Sequence, residues 1–264
     1  MVTRIKELDA LRGIAALFVV FFHYSMGKPE ANLGFKLGVT GVDLFFIISG
    51  FVIFLSIQKV SSGLEFVVNR FSRLYPTYWA CATITFMCQL YVHYTIHIEN
   101  KVSIVQYLIN LTMFQHYFKV GDIDGPYWTM IIEMLFYIHM LILFVSKKLN
   151  YILHIGLGLV VIIGIYAIFL DTTYPDLNWE FIYWFHLFTH FPLFLAGIIF
   201  FKIMNQDGKW YVNYSLLILC LFVQSYLYDN VPKISMFISS YEYSSMLGLY
   251  FLLFILFVNQ KLKL

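Results

Sequence analysis

Leu8-Asp9-Ala10-Leu11-Arg12-Gly13-Ile14-Ala15-Ala16-Leu17-Phe18-Val19-Val20-Phe21-Phe22-His23-Tyr24 is the stretch on which the reading of this chain turns. An arginine and a histidine stand eleven residues apart in it, with only apolar or small residues between them. At about 100° per residue, eleven steps make three turns plus roughly 20°, so Arg12 and His23 share one helix face. They are separated along that face by about 16 Å of rise. Asp9, fourteen residues before His23, falls within about 40° of the same face. A cation and an imidazole at opposite ends of an apolar helix suggest a reaction path that runs through a bilayer.

The rest of the chain supports a membrane setting. Of its 264 residues 61% are hydrophobic and 12% charged, with a mean hydropathy of +0.77, too apolar for a soluble domain. Eight apolar stretches recur, at about 8–26, 38–57, 75–95, 127–145, 151–170, 181–203, 214–228 and 241–258. Each approaches the roughly 20 residues needed to cross the hydrocarbon core, the one at 214–228 being the shortest. Residues 102–118 are more polar and read as an interfacial or re-entrant helix. The expectation is an all-α polytopic bundle of about eight transmembrane helices, one integral membrane domain over 1–264.

Charge sets the orientation. With the N-terminus inside, only Lys28, Lys36, Lys101, Lys119 and Lys233 of the 17 Lys and Arg fall outside. That is a clear positive-inside bias, and it puts both termini in the cytoplasm. The loop 171–180 carries Asp171, Asp176 and Glu180 and no basic residue, as an outer loop should. The net charge of +2 thus serves orientation and implies membrane lipids, not nucleic acid, as the partner. Residues 1–7 are too short and polar for a cleaved leader, so the first helix is expected to remain. Cys81, Cys88 and Cys220 all lie in spans, and no disulfide framework is readable.

Ionisable residues within spans are the informative ones, because each costs about 2.5–3.5 kcal/mol at a helix centre. Arg12 alone could reach lipid phosphates from the inner end, and His23 alone could be interfacial. Their shared face favours function. Asp43 opens the second span in Gly41-Val42-Asp43-Leu44 and is expected at the depth of His23, where a carboxylate could orient an imidazole base. It could equally be an acidic residue favoured by a helix N-terminus. Glu133 lies inside the fourth span, with Tyr137 one turn on, and should find a partner within the bundle.

Arg70 and Arg73, in Arg70-Phe71-Ser72-Arg73-Leu74-Tyr75-Pro76, end an inner loop three residues apart. Two guanidinium groups so placed suit a phosphate or diphosphate, although ordinary inner-face anchoring reads the same way. Pro76 is expected near the start of the third helix. His186 and His190 have the i, i+4 spacing of metal ligands, yet no third ligand is evident, so no metal is expected. Serine-nucleophile, Walker and dinucleotide motifs are absent.

These segments, taken together, resemble the acyltransferase-3 family of integral membrane acyltransferases, which O-acylate surface carbohydrates. The matching residues run from Leu8 through Arg12 to His23, then Gly41 to Phe51, Arg70 to Pro76, and Trp128 to Tyr137. Beyond residue 140 the likeness thins to hydropathy and Phe194-Leu195-Ala196-Gly197. The resemblance implies a cytoplasmic acyl-CoA donor, most often acetyl-CoA, with phosphates on Arg70, Arg73 and Arg12 at the inner face. It further implies His23 as base or transient acyl carrier, oriented by Asp43, with Glu133 completing a polar interior and a carbohydrate hydroxyl as acceptor. Family members have about ten spans, so the last one or two are expected to be missing here. A transporter or flippase of a lipid-linked or small solute, and a non-catalytic family member, are the competing readings.

Overall fold

Capping chemistry explains where the third helix begins, and that start reorders the arginine cluster. In the computed structural model, which describes residues 5–96, 102–173 and 181–259, Glu65 accepts hydrogen bonds from the Ser61 N–H and hydroxyl, both at 2.7 Å. The Ser62 hydroxyl accepts from the Glu65 N–H at 3.1 Å. Helix α3 therefore starts at Gly63 and runs to Ile96, so Pro76 lies in its interior and not near its start.

Apart from the single turn Pro232–Ser235, the other helices followed below are α1 (Lys6–Ser25), α2 (Gly41–Ile57), α4 (Ile104–Asn110), α5 (Trp128–Val145), α6 (Ile152–Thr173), α7 (Phe191–Met204), α8 (Trp210–Tyr226) and α9 (Ser240–Val258). Among the described residues there is no strand, and the all-α bundle is as expected. Among the described residues, six helical segments are long and apolar enough to cross a membrane: Lys6–Ser25, Phe35–Ile57, Gly125–Val145, Leu149–Phe169, Trp210–Asn230 and Ser240–Val258. Two of the eight expected spans depart from this. The stretch 75–95 is the later part of α3, whose earlier turns carry Glu65, Asn69, Arg70 and Arg73. The stretch 181–203 is interrupted, with a 3₁₀ turn at Phe188–His190 before α7 begins. Pro192 in its first turn lacks an N–H where none is needed. The outer loop expected at 171–180 falls mostly outside the described residues.

The chain divides into two compact units, Met1–Gln58 with Lys148–Leu264 and, separately, Lys59–Lys147. In the first unit α7 is central. Every residue from Phe191 to Phe201 is buried, as expected of a helix apolar on all sides. Helix α2 runs parallel to it: Phe46 packs on Phe194 (ring centroids 5.0 Å apart), and Phe51 and Phe54 pack on Phe201 (5.4 Å each). The two backbones meet at Gly50 and Gly197, where a Cβ on either would overlap a carbonyl of the other helix. Helix α1 is antiparallel to α2, with Gly38 against Phe18 and Phe22, and Gly41 against Ala15, Phe18 and Val19. Helices α8 and α9 close over α7, α9 stacking Phe254 on Phe200 (4.9 Å). Outward ridges such as Ile162 and Ile165 of α6, or Ile218 and Phe222 of α8, suit contact with lipid.

The second unit holds α3, α4 and α5. Helix α5 is antiparallel to α3, bringing Leu141 and Val145 to Gly63 and Tyr137 to Phe66. The segment after α4 is stapled to α3 by three aromatic donors. Tyr75, Tyr78 and Trp79 bond the carbonyls of Thr112 (3.0 Å), Asn110 (2.9 Å) and Leu111 (2.9 Å). Asn110, wholly buried, donates to Gln106 and Gly121 carbonyls and accepts from the Ile123 N–H at 3.1 Å. Only the seven residues of α4 in the polar stretch 102–118 are α-helical, and its buried backbone is satisfied by these side chains.

Candidate functional site

His23 stands on the last turn of α1 with its ring exposed, and its Nδ1 lies 2.7 Å from the Val19 carbonyl. A carbonyl can only accept, so Nδ1 carries the proton and the Nε2 of the neutral ring keeps its lone pair. The neighbouring turn of the same helix thus sets the tautomer a base requires. At the other end of that helix Arg12 pairs with Asp9 at 3.8 Å, one turn away.

Asp43 is not beside His23. Gly41 packs on Ala15, Phe18 and Val19, so Asp43, two residues further in, lies level with the middle of α1. His23 stands about 6–12 Å of rise above that level. The reason is the 3₁₀ helix Phe35–Thr40, which carries the chain inward along α1 before α2 begins. Orientation of His23 by Asp43 is therefore replaced by the Val19 carbonyl.

Asp43 instead belongs to a buried polar cluster within the first unit. Its carboxylate is fully buried, with His190 Nδ1 3.9 Å from Oδ1, and the Tyr243 hydroxyl faces it. Gln224 Nε2 donates both to the Tyr243 hydroxyl and to the Thr189 carbonyl, each at 3.0 Å. Thr40 and Tyr250 share a hydrogen bond of 2.7 Å beside them. Both α2 and α7 begin at this end, so the positive ends of two parallel helices converge on Asp43.

Sequence reasoning missed His190, Tyr243 and Gln224. The spacing of His190 from His186 points only to a metal pair without a third ligand. The available signal was its polarity inside an apolar stretch, together with Gln224 in Leu221-Phe222-Val223-Gln224.

The second unit gathers the other candidates. Tyr137 donates to Glu133 Oε1 at 2.5 Å, the i, i+4 contact anticipated on α5. The Arg70 guanidinium lies over the rings of Phe66 (5.7 Å) and Tyr137 (5.8 Å) and near Glu133. Arg73 is close enough to act on Tyr137 and Arg70 as well. Glu133 is thus hydrogen-bonded by Tyr137 and lies near Arg70 of α3. Arg70, two turns beyond Gly63 on α3, faces the middle of α5. Its Nε–H is buried and has no acceptor among the described residues. Such a donor is costly to leave bare, and an anion would satisfy it.

The family model described as an acyltransferase domain, acyltransferase-3, matches residues 5–264, and the chain belongs to that family. It is similar to the O-acetyl transferase of Shigella phage Sf6, 29% identical over 144 residues, covering 49% of this chain and 43% of that protein. The peptidoglycan O-acetyltransferase OatA of Listeria monocytogenes is 25% identical over 195 residues, covering 65% of this chain and 30% of its own. The exopolysaccharide production protein ExoZ of Rhizobium meliloti is 27% identical over 107 residues, covering 39% and 33%. The matched stretch spans less than half the length of each of these relatives. No solved structure matches the chain.

Proposed function

We propose that residues 1–264 act as one integral membrane domain that moves an acyl group, acetyl by preference, from acyl-CoA to a hydroxyl of a surface or exported carbohydrate. The observation that carries the reading is the 2.7 Å contact of His23 Nδ1 with the Val19 carbonyl, which leaves Nε2 to accept a proton. Nε2 takes the hydroxyl proton as the oxygen attacks the thioester carbonyl. The carbon–sulfur bond then breaks, and the CoA thiolate leaves with that proton. The names of the phage and Listeria relatives support the acyl group and acceptor class. Membranes carrying the chain, incubated with radiolabelled acetyl-CoA, should transfer label to glycan. Solute flux without labelled glycan would support the transporter reading instead.

In this reading Arg70 and Arg73 hold donor phosphates, and Glu133 offsets their charge. Charge-assisted hydrogen bonds are worth about 1.5–3 kcal/mol, so Arg70→Ala and Arg73→Ala should each weaken binding of labelled acetyl-CoA by roughly 10–100-fold. Lysine should rescue only in part, lacking the bidentate fork. Unchanged affinity in both alanine variants would reduce the cluster to charge balance for Glu133.

The host is the inner or plasma membrane, with both termini cytoplasmic. Single cysteines placed at Lys147 and Lys119 in a Cys-free background check this. An impermeant reagent applied outside should label position 119 and spare 147; the reverse pattern would invert the topology.

A further inference from the structure

The search of the molecule leads back to the buried cluster of the first unit, which the transfer chemistry above does not use. A carboxylate this deep is costly unless paired and hydrogen-bonded. Following the hydrogens fixes its environment. The Tyr243 hydroxyl accepts from Gln224, so its own hydrogen is available to Asp43. Gln224 also donates to the carbonyl of Thr189, the residue before His190. His190 then returns to Asp43 across 3.9 Å, with its ring against Phe46 (4.9 Å). The result is a cluster of polar groups that brings together α2, the start of α7, α8 and α9. His186 lies near enough to oppose a second positive charge there.

We propose that Asp43, His190, Tyr243 and Gln224 work as one positioning unit in which His190 carries the proton that neutralises Asp43. The unit sets α2 against α7 through a charge pair that no other residue of the cluster can supply, since Tyr243 and Gln224 are neutral. Its role in acyl transfer rests on the function proposed above; its existence does not.

The pair makes a non-additive prediction. His190→Ala strands a buried carboxylate, whereas Asp43→Asn leaves only neutral groups. In detergent-solubilised protein, His190→Ala should lower the unfolding midpoint by roughly 10 °C. Asp43→Asn should cost less, and Asp43→Asn/His190→Ala should melt above His190→Ala alone. Histidine-labelled protein read by nitrogen NMR gives a signature that packing would not mimic. The His190 ring, assigned by its absence from His190→Gln, should be doubly protonated in the wild type and neutral in Asp43→Asn. If the wild-type ring is already neutral, or a double variant is no better than His190→Ala, the pair is refuted. Should His190→Ala fail to accumulate, recovery of the double variant supports the pair and loss of both overturns it. None of these readouts needs acyl transfer, so an inactive wild type would remove the proposed function and leave this result standing. Given activity, His190→Ala should lower acyl transfer more than tenfold, while the double variant regains part of it.

Discussion

His23→Ala is expected to lower acyl transfer by about 10²–10⁴, the usual worth of general-base assistance, with normal abundance of the protein in the membrane. The ring is exposed and, among the described residues, hydrogen-bonds to its own helix, so its removal should leave the bundle folded. His23→Asn sharpens the test. Its amide can still donate to the Val19 carbonyl, where Nδ1 does now, but it offers no basic nitrogen in place of Nε2. It should therefore be as inactive as alanine. Initial-rate measurements with labelled acetyl-CoA decide the matter. Wild-type rates in either variant would end the base assignment. Activity in asparagine alone would make His23 a helix-end hydrogen-bond donor and nothing more.

How much of this was legible in advance follows from what kinds of signal a sequence carries. The bundle was legible because length and apolarity alone decide whether a helix can span. Contacts within one helix were legible too: Glu133 and Tyr137 meet because residues four apart share a face. What failed depended on where the backbone starts, stops or breaks. Composition shows residues 181–203 as one apolar run and hides the interruption that sets His190 at the mouth of α7. The depth of Asp43 was misjudged because nothing in Phe35–Thr40 announces a 3₁₀ helix descending along α1. Pro76 falls inside α3 and not near its start because the cap at Ser61–Glu65 begins the helix earlier than the apolar pattern does. The Asp43–His190 pair was the hardest to foresee. It depends on α2 and α7, far apart in the chain, packing side by side and parallel.

That parallel packing carries the second large prediction. Gly50 and Gly197 sit where the two helices touch, and a methyl group on Gly50 would overlap the Phe194 carbonyl. One on Gly197 would overlap the Ile47 carbonyl. In each case the obstacle is backbone, so no side chain can turn aside and the helices must separate. Overpacking costs about 1–3 kcal/mol and occasionally more, and a backbone clash in the centre of the core belongs at the upper end. Gly197→Ala and Gly50→Ala should each lower the unfolding midpoint by roughly 6–12 °C. Gly158 and Gly248 serve as controls, since a methyl group there meets nothing within 4 Å and both lie inside helices. Alanine at either should be neutral or stabilising by up to about 1 kcal/mol, because it favours the helix over glycine. The same separation would draw Asp43 from His190, two turns nearer the helix starts. Acyl transfer should therefore fall in the Gly50 and Gly197 variants even at temperatures where they remain folded. Melting curves that match the wild type at both positions would mean that α2 and α7 do not approach as closely as their glycines imply.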